Sequence, residues 1–304
     1  MPSWLRYSTG FALLLCFVIL LCYFKCVLLD DRYGASSVLL MKVNRARDPH
    51  ELKELAVDVT FQGDFGQSYA GTDNSRILPA DTIKNTIYAL AKLYPIQQIE
   101  EFARQISDHF LTDNAHVKRV DVSIKERFWA HIPFGGKGHP FAFTPGSLEV
   151  RTASVSAGRE DAAIEAGIEN LQVIKTAGSA FEGYRKDPFT TLEESADRLF
   201  SATIQATWLY EDNDIPFGVY WHGVRAAILE SFLEHESRSL QHTLHSIAEA
   251  VLERYADIRE IRLALPSHDC RLVDLRALGL ENQNEVFAPA EYPCELIEAR
   301  MRRI

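Results

Sequence analysis

Few residues of this chain carry local patterns that suggest chemistry, and those patterns mostly fail the chemistry they suggest. Gly135-Gly136-Lys137-Gly138 has the glycine content of a phosphate-cradling loop. It lacks the Walker spacing and the Ser or Thr after the lysine, so it reads as a mobile surface loop. His242 and His245 are spaced to share one helical face and could hold a metal ion together. No third ligand accompanies them, and a structural or exposed pair is the simpler reading. The sequence contains no Gly-x-Ser-x-Gly elbow, no His-Glu-x-x-His helix and no dinucleotide fingerprint. Cys16, Cys22, Cys26, Cys270 and Cys294 form an odd, scattered set without a Cys-x-x-Cys pair. Such a set is neither a disulfide framework nor a zinc motif, and points to a reducing compartment.

Any chemistry must therefore come from side chains that the fold brings together. The 304 residues are enough for about two domains. With 47% hydrophobic and 24% charged residues, the chain can bury a core without disulfides or a structural metal. A formal net charge of −10 argues against nonspecific nucleic-acid binding, which needs a basic surface. A small anion stays compatible, because one buried Arg can hold it whatever the global charge.

Two stretches, 38–43 and 55–65, have strand character. Ile83, Ile87, Leu90 and Ala91 share one helical face, as do Ile99, Phe102, Ala103, Ile106 and Phe110. Asp81, before Thr82, marks the N-cap region of the first helix. Val120, Val122 and Ile124 alternate as a strand. The plan then repeats. Residues 171–176 and the alternating Ala202, Ile204, Ala206 and Trp208 predict strands. Val224, Ile228 and Phe232, then Leu240, Leu244, Ile247, Val251 and Tyr255, predict two helices. Ile261, Leu263 and Leu265 predict a closing strand. Strand–strand–helix–helix–strand, twice, is an α+β pattern with helices on one face of an antiparallel sheet. The other face must also be covered, so oligomerisation is expected.

The N-terminus departs from this plan. An apolar run at 11–29, interrupted only by Lys25, is about long enough to span a bilayer. Arg6 precedes it, Asp30 and Asp31 follow, and no cleavage site for a signal peptide is evident. Two readings stay open: a membrane anchor through 11–29, or a start codon placed too early. The terminal Met301-Arg302-Arg303-Ile304 is not a peroxisomal signal.

Longer motifs carry more information. Tyr33-Gly34-Ala35 leads to Met41-Lys42-Val43. Asp73-Asn74-Ser75 precedes Pro79-Ala80-Asp81-Thr82-Ile83-Lys84-Asn85-Thr86. Leu171-Gln172-Val173-Ile174-Lys175-Thr176 is followed by Phe181-Glu182-Gly183-Tyr184, Phe189-Thr190-Thr191 and Asp197-Arg198. Ser239-Leu240-Gln241-His242-Thr243-Leu244, Gly279-Leu280, Asn284-Glu285-Val286-Phe287 and Ile297-Glu298-Ala299 complete the series. In this order and spacing, from about 32 to 301, the chain resembles the urate oxidase (uricase) family. The resemblance implies two tandem tunnelling-fold (T-fold) units, at 32–160 and 161–304, after the apolar segment 1–31. It implies a homotetramer with active sites at subunit interfaces, a cytoplasmic location, and cofactor-free oxidation of urate by O2 to 5-hydroxyisourate and H2O2.

The resemblance also assigns roles. Phe181 stacks on the purine, Arg198 and Gln241 grip its edges, and Leu240 adds a backbone contact. Asp81 of a neighbouring subunit is another ligand contact. A flat anion needs such an aromatic face and such donors. For Phe181 a core position, and for Arg198 a surface ion pair, are the competing structural readings. The chemistry further needs a base to remove a second proton from urate. There the chain departs from the family. The Lys position holds Ala35 and the Thr position Ala80. In the Pro-Asn-x-His motif, Ser267 replaces Asn and Asp269 replaces His. His268 is a candidate substitute base, although on a strand its one-residue offset would turn it to the opposite face. Three functions follow: a weakened or inactive urate oxidase with an intact purine pocket, a noncatalytic purine-binding or assembly protein, or a different ring chemistry in that pocket.

Overall fold

The computed structural model of the chain describes residues 28–293 and 295–303. The predicted apolar segment at 11–29 falls outside the described residues except for Leu28 and Leu29. Among the described residues, no helix is long and apolar enough to cross a membrane.

Two compact units divide the chain. The smaller comprises residues 1–31, of which 28–31 are described, and 65–77. It contains a short helix α1 (Gly66–Ala70). Beyond α1, Ser75 N–H donates to Asp73 at 2.9 Å and holds that carboxyl below its usual range.

The larger unit is built on one continuous antiparallel sheet. Its first half runs β1 (Tyr33–Asn44), β2 (Glu51–Gly63), α2 (Ala80–Leu93), α3 (Ile99–Asp113), β3 (Val117–Phe134) and β4 (Lys137–Ala157). The second half runs β5 (Ala162–Lys175), β6 (Phe200–Tyr210), α4 (Phe217–Glu234), α5 (Leu240–Arg254) and β7 (Ile258–Ala264). Short strands β8 (Ser267–His268), β9 (Cys270–Leu272) and β10 (Phe287–Pro289) precede β11 (Glu298–Arg302). The spatial order is β1-β2-β3-β4-β5-β6-β7-β11, with β8 paired to β6 and β9 to β10 separately. The predicted repeat is thus present, and the second half gains its fourth long-range strand only when β11 returns to β7.

The helices form where the apolar spacing predicts. Every residue assigned to the buried faces of α2 and α3 is buried. Val224, Ile228 and Phe232 of α4 are buried with Trp221 and Phe217. On α5, Leu240, Leu244, Ile247 and Val251 are buried. The predicted N-cap shifts: Pro79 caps α2 without a side-chain bond, and Asp81 sits in the first turn, where its charge suits the helix dipole.

The two halves share a buried ionic cluster. Arg151 Nη2 on β4 lies 2.7 Å from Glu100 Oε2 on α3, and both side chains are essentially buried. Gln98 Oε1 accepts from the same nitrogen at 2.8 Å. The guanidinium lies 5.1 Å from the Trp221 ring on α4. Burial pushes the Glu100 carboxyl up despite the opposing pull of Arg151. Arg225 on α4 forks onto Glu149 of β4 at 2.7 and 2.8 Å, adding a second tie.

The glycine motif at 135–138 is a correction. It is the tight turn of the long β3–β4 hairpin and not a loop. Gly135 and Gly136 have φ of 59° and 79°, which the two-residue turn requires.

Candidate functional site

The sheet's alternation sets up the site. On β6, Ala202, Ile204, Ala206 and Trp208 are buried in the core. Ser201 and Thr203 project from the opposite face. A loop from Thr176 to Leu199 then folds back over the end of β6. Phe181 and Ser195 exchange backbone hydrogen bonds of 2.8 and 3.1 Å. Arg198 N–H donates to Ser179 O at 2.7 Å, and Ser179 N–H donates to Asp197 Oδ1 at 3.2 Å. The same loop is tied to the approach to α5, through Ala180 N–H to Ser237 O at 2.7 Å and Ser237 N–H to Gly178 O at 3.1 Å.

These constraints bring Phe181 and Arg198 together. The Arg198 guanidinium carbon lies 4.9 Å from the centre of the Phe181 ring. On the sequence side, Tyr184 stacks with Phe181 at 4.8 Å and an interplanar angle of 14°. Arg198 Nε is buried and has no hydrogen-bond partner among the described residues. Phe181 is half-buried and not core, and Arg198 makes no ion pair among the described residues. A buried guanidinium N–H without an acceptor is costly unless a ligand completes it.

Phe181 and Arg198 line an open pocket of about 870 Å³ with Ser201, Ser267, His268 and Asp269. That volume lies within the range of small-molecule sites. Its rim is acidic: Glu193, Glu194, Asp197 and Glu295 also line it, against Arg271. Lys186, 3.1 Å away, and the Gly183 N–H hold the Glu194 carboxyl below its usual range. Asp269 does not point free into the pocket, because Arg271 Nε binds it at 2.7 Å.

β8 is only two residues long and pairs Ser267 with Ala202 and His268 with Ser201. The register puts Ser267 on the face of the buried Ala202 and His268 on the face of Ser201 and Thr203, so the one-residue offset does turn His268 to the opposite face, although both residues contribute to the pocket lining. His268 Nε2 lies 3.3 Å from Thr203 Oγ1.

The remaining predicted residues lie elsewhere. Leu240 and Gln241 open α5 and do not line the pocket. The Leu240 side chain is buried in the core, which leaves its backbone N–H in the unsatisfied first turn. Ser239 caps that turn by accepting from His242 N–H at 3.1 Å. Ala35 lies on β1 opposite Val59, next to a bulge. A side chain on the preceding Gly34 would meet Val59 O at 1.8 Å, so only glycine allows this pairing. Ala80 and Asp81 are exposed at the start of α2, where Asp81 accepts from Asn85 Nδ2 at 3.0 Å. Ala35, Ala80 and Asp81 do not line the pocket of their own chain.

The suggested histidine pair separates. His245 faces Glu249 at 3.9 Å, whereas His242 contacts His235, ring centres 4.2 Å apart. Burial, then His242 and Lys175, push the His235 imidazole down. Among the described residues, no group of three or more His, Cys, Asp and Glu could hold a metal ion. Sequence reasoning missed Thr203 and Tyr184. Thr203 was legible as the polar alternate of the buried β6 row, and Tyr184 as a neighbour inside a quoted motif.

A doubled ββααββ chain on one antiparallel sheet, with an aromatic–guanidinium pocket at the end of β6, defines the class as a tandem T-fold protein. The family model described as "Uricase" matches residues 31–156 and 164–298. A uricase from Arthrobacter globiformis is 37% identical over 279 residues, covering 92% of this chain and 91% of the relative. A uricase from Danio rerio is 34% identical over 268 residues, covering 86% and 90%. The crystal structure of the Arthrobacter globiformis uricase matches with a TM-score of 0.87 at 36% identity, covering 92% of this chain and 96% of that one. A urate oxidase mutant from Bacillus sp. TB-90 shares the fold at a TM-score of 0.80 and 21% identity, covering 90% and 99%. The chain belongs to the uricase family.

Proposed function

We propose that the chain binds urate or a closely similar purine and that its oxidation of urate by O2 is strongly weakened. The observation that carries the binding half is Arg198, with its buried, unpartnered Nε beside the Phe181 ring in an open pocket of about 870 Å³. The ring would stack on Phe181, the Arg198 fork would take one edge, and Gln241 with the Leu240 N–H would take another. Asp81, contributed across a subunit interface of a homotetramer, completes the contacts. Residues 32–160 and 161–304 would be the two T-fold repeats of each subunit.

The reaction of the family converts urate, O2 and water to 5-hydroxyisourate and H2O2, and needs no cofactor. The protein must remove a proton and hold O2 or water. Ala35 and Ala80 offer only methyl groups, Ser267 offers a hydroxyl in place of an amide, and Asp269 is occupied by Arg271. Losing one general base costs about 10²–10⁴-fold in rate. Residues that act as one unit do not add independently. The two alanines favour a second reading, a purine-binding or assembly protein without catalysis.

The test is equilibrium binding of urate together with urate loss and H2O2 formation by residues 31–304. Urate binding that Arg198→Ala abolishes, with turnover far below that of an Ala35→Lys/Ala80→Thr/Ser267→Asn/Asp269→His variant, supports the proposal. Turnover equal to that of the repaired variant contradicts it.

A further inference from the structure

We propose that His268 and Thr203 form a proton-accepting dyad within a single chain. His268 is the catalytic residue that takes a ring proton from bound urate, and Thr203 is the positioning residue that orients it. The inference rests on the purine-binding reading above.

The pocket offers few other bases. Asp269 is paired with Arg271 at 2.7 Å, Glu194 with Lys186 at 3.1 Å, and Asp197 accepts the Ser179 N–H. Glu193 and Glu295 are exposed carboxylates on the rim, turned to solvent. Arg198 and Arg271 are permanent cations. Among the described residues lining the pocket, His268 is the one imidazole, the side chain suited to exchange protons at neutral pH.

The ring is held in place. Thr203 N–H donates to Pro266 O at 2.9 Å, and β8 pairs with β6 through Ser201 and Ala202. Thr203 is buried, and its Oγ1 lies 3.3 Å from His268 Nε2. When Nε2 carries the hydrogen and donates it to Oγ1, the lone pair is on Nδ1. Nδ1 has no hydrogen-bond partner among the described residues, and His268 lines the pocket. A base oriented by a third group is the arrangement general-base catalysis requires.

The step is a proton transfer. An N–H bond of the urate monoanion breaks and an Nδ1–H bond forms. The products are a urate dianion and an imidazolium, so total charge is unchanged and no oxidant is consumed. Arg198 and the new imidazolium then both face the dianion. Asp269, Asp197 and Glu295 oppose it, which sets the balance that Thr203 must tip.

The test uses the ultraviolet spectrum of bound urate, which reports its charge, recorded without O2 on the full chain from about pH 5.5 to 9. Wild type converts bound urate from monoanion to dianion across this range. His268→Gln still binds urate but leaves it the monoanion. Thr203→Val displaces the midpoint by about one pH unit, a tenfold change in proton affinity, and Thr203→Ser restores it. A monoanion in wild type at every pH, or a dianion in His268→Gln, overturns the dyad. A Thr203→Val profile that superposes on wild type overturns the role of Thr203. Absence of any bound urate in wild type removes the purine-binding reading and the dyad with it, and is distinguished because no difference spectrum forms.

Discussion

Replacing Arg198 by alanine should weaken purine binding more than any other single change in the pocket. Its buried Nε has no acceptor among the described residues, so a ligand atom that accepts from it completes a charge-assisted hydrogen bond. Such bonds contribute about 1.5–3 kcal/mol. That corresponds to roughly 10- to 150-fold in Kd at about 1.4 kcal/mol per tenfold. Arg198→Lys keeps the charge but loses the planar fork, and should fall between wild type and alanine. Calorimetric titration with urate under exclusion of O2 measures both variants. Retention of affinity within threefold by Arg198→Ala would refute the assignment of the pocket.

Other consequences concern the scaffold. Arg151→Met leaves the Glu100 carboxylate buried without its cation and should cost about 3–5 kcal/mol in urea unfolding, with Glu100→Leu/Arg151→Met recovering much of it. Because burial already raises the Glu100 carboxyl, its contribution is present below its ordinary value and lost as pH rises, so Arg151→Met should be more stable at about pH 5 than at 7. A loss under about 1 kcal/mol would show that the cluster is not buried in solution. Gly34→Ala drives a Cβ to 1.8 Å from Val59 O and should cost about 1–3 kcal/mol or more, read as a lowered Tm. An unchanged Tm would contradict the β1–β2 register. Hydrogen bonds from Arg276 hold Asp274 down to about 2. Its stabilisation is therefore present above its ordinary value and lost as pH falls through about 2. Carboxyl NMR should give that midpoint in wild type and a higher one in Arg276→Gln, which keeps the backbone N–H bond but loses the guanidinium bonds.

Much of the scaffold was legible because helices announce themselves by period. Ile83 to Ala91 and Ile99 to Phe110 had one solution each, and the structure buries those faces. The β3–β4 hairpin was not legible. Its outer part carries Pro133, Gly135, Gly136, Pro140, Pro145 and Gly146, residues that read as strand breakers. A two-stranded ribbon beyond the sheet body tolerates them because each strand has one free edge. The site is a different case. Phe181 and Arg198 lie far apart in sequence, and no local period links them. The family resemblance named them, and the backbone bonds between Phe181 and Ser195 explain how they meet. The direction of His268 followed the alternation argument, since it pairs with Ser201 and meets Thr203 while Ser267 pairs with the buried Ala202, but its contact with Thr203 was not legible in the sequence.

The most direct test of the account is steady-state turnover of urate by the pure chain from residue 31, followed by urate absorbance and H2O2 formation. The account predicts urate binding with turnover at least about 10²-fold below the Ala35→Lys/Ala80→Thr/Ser267→Asn/Asp269→His variant. It also predicts that His268→Gln removes the residual activity. Turnover by the unmodified chain equal to that of the repaired variant, unaffected by His268→Gln, would contradict it.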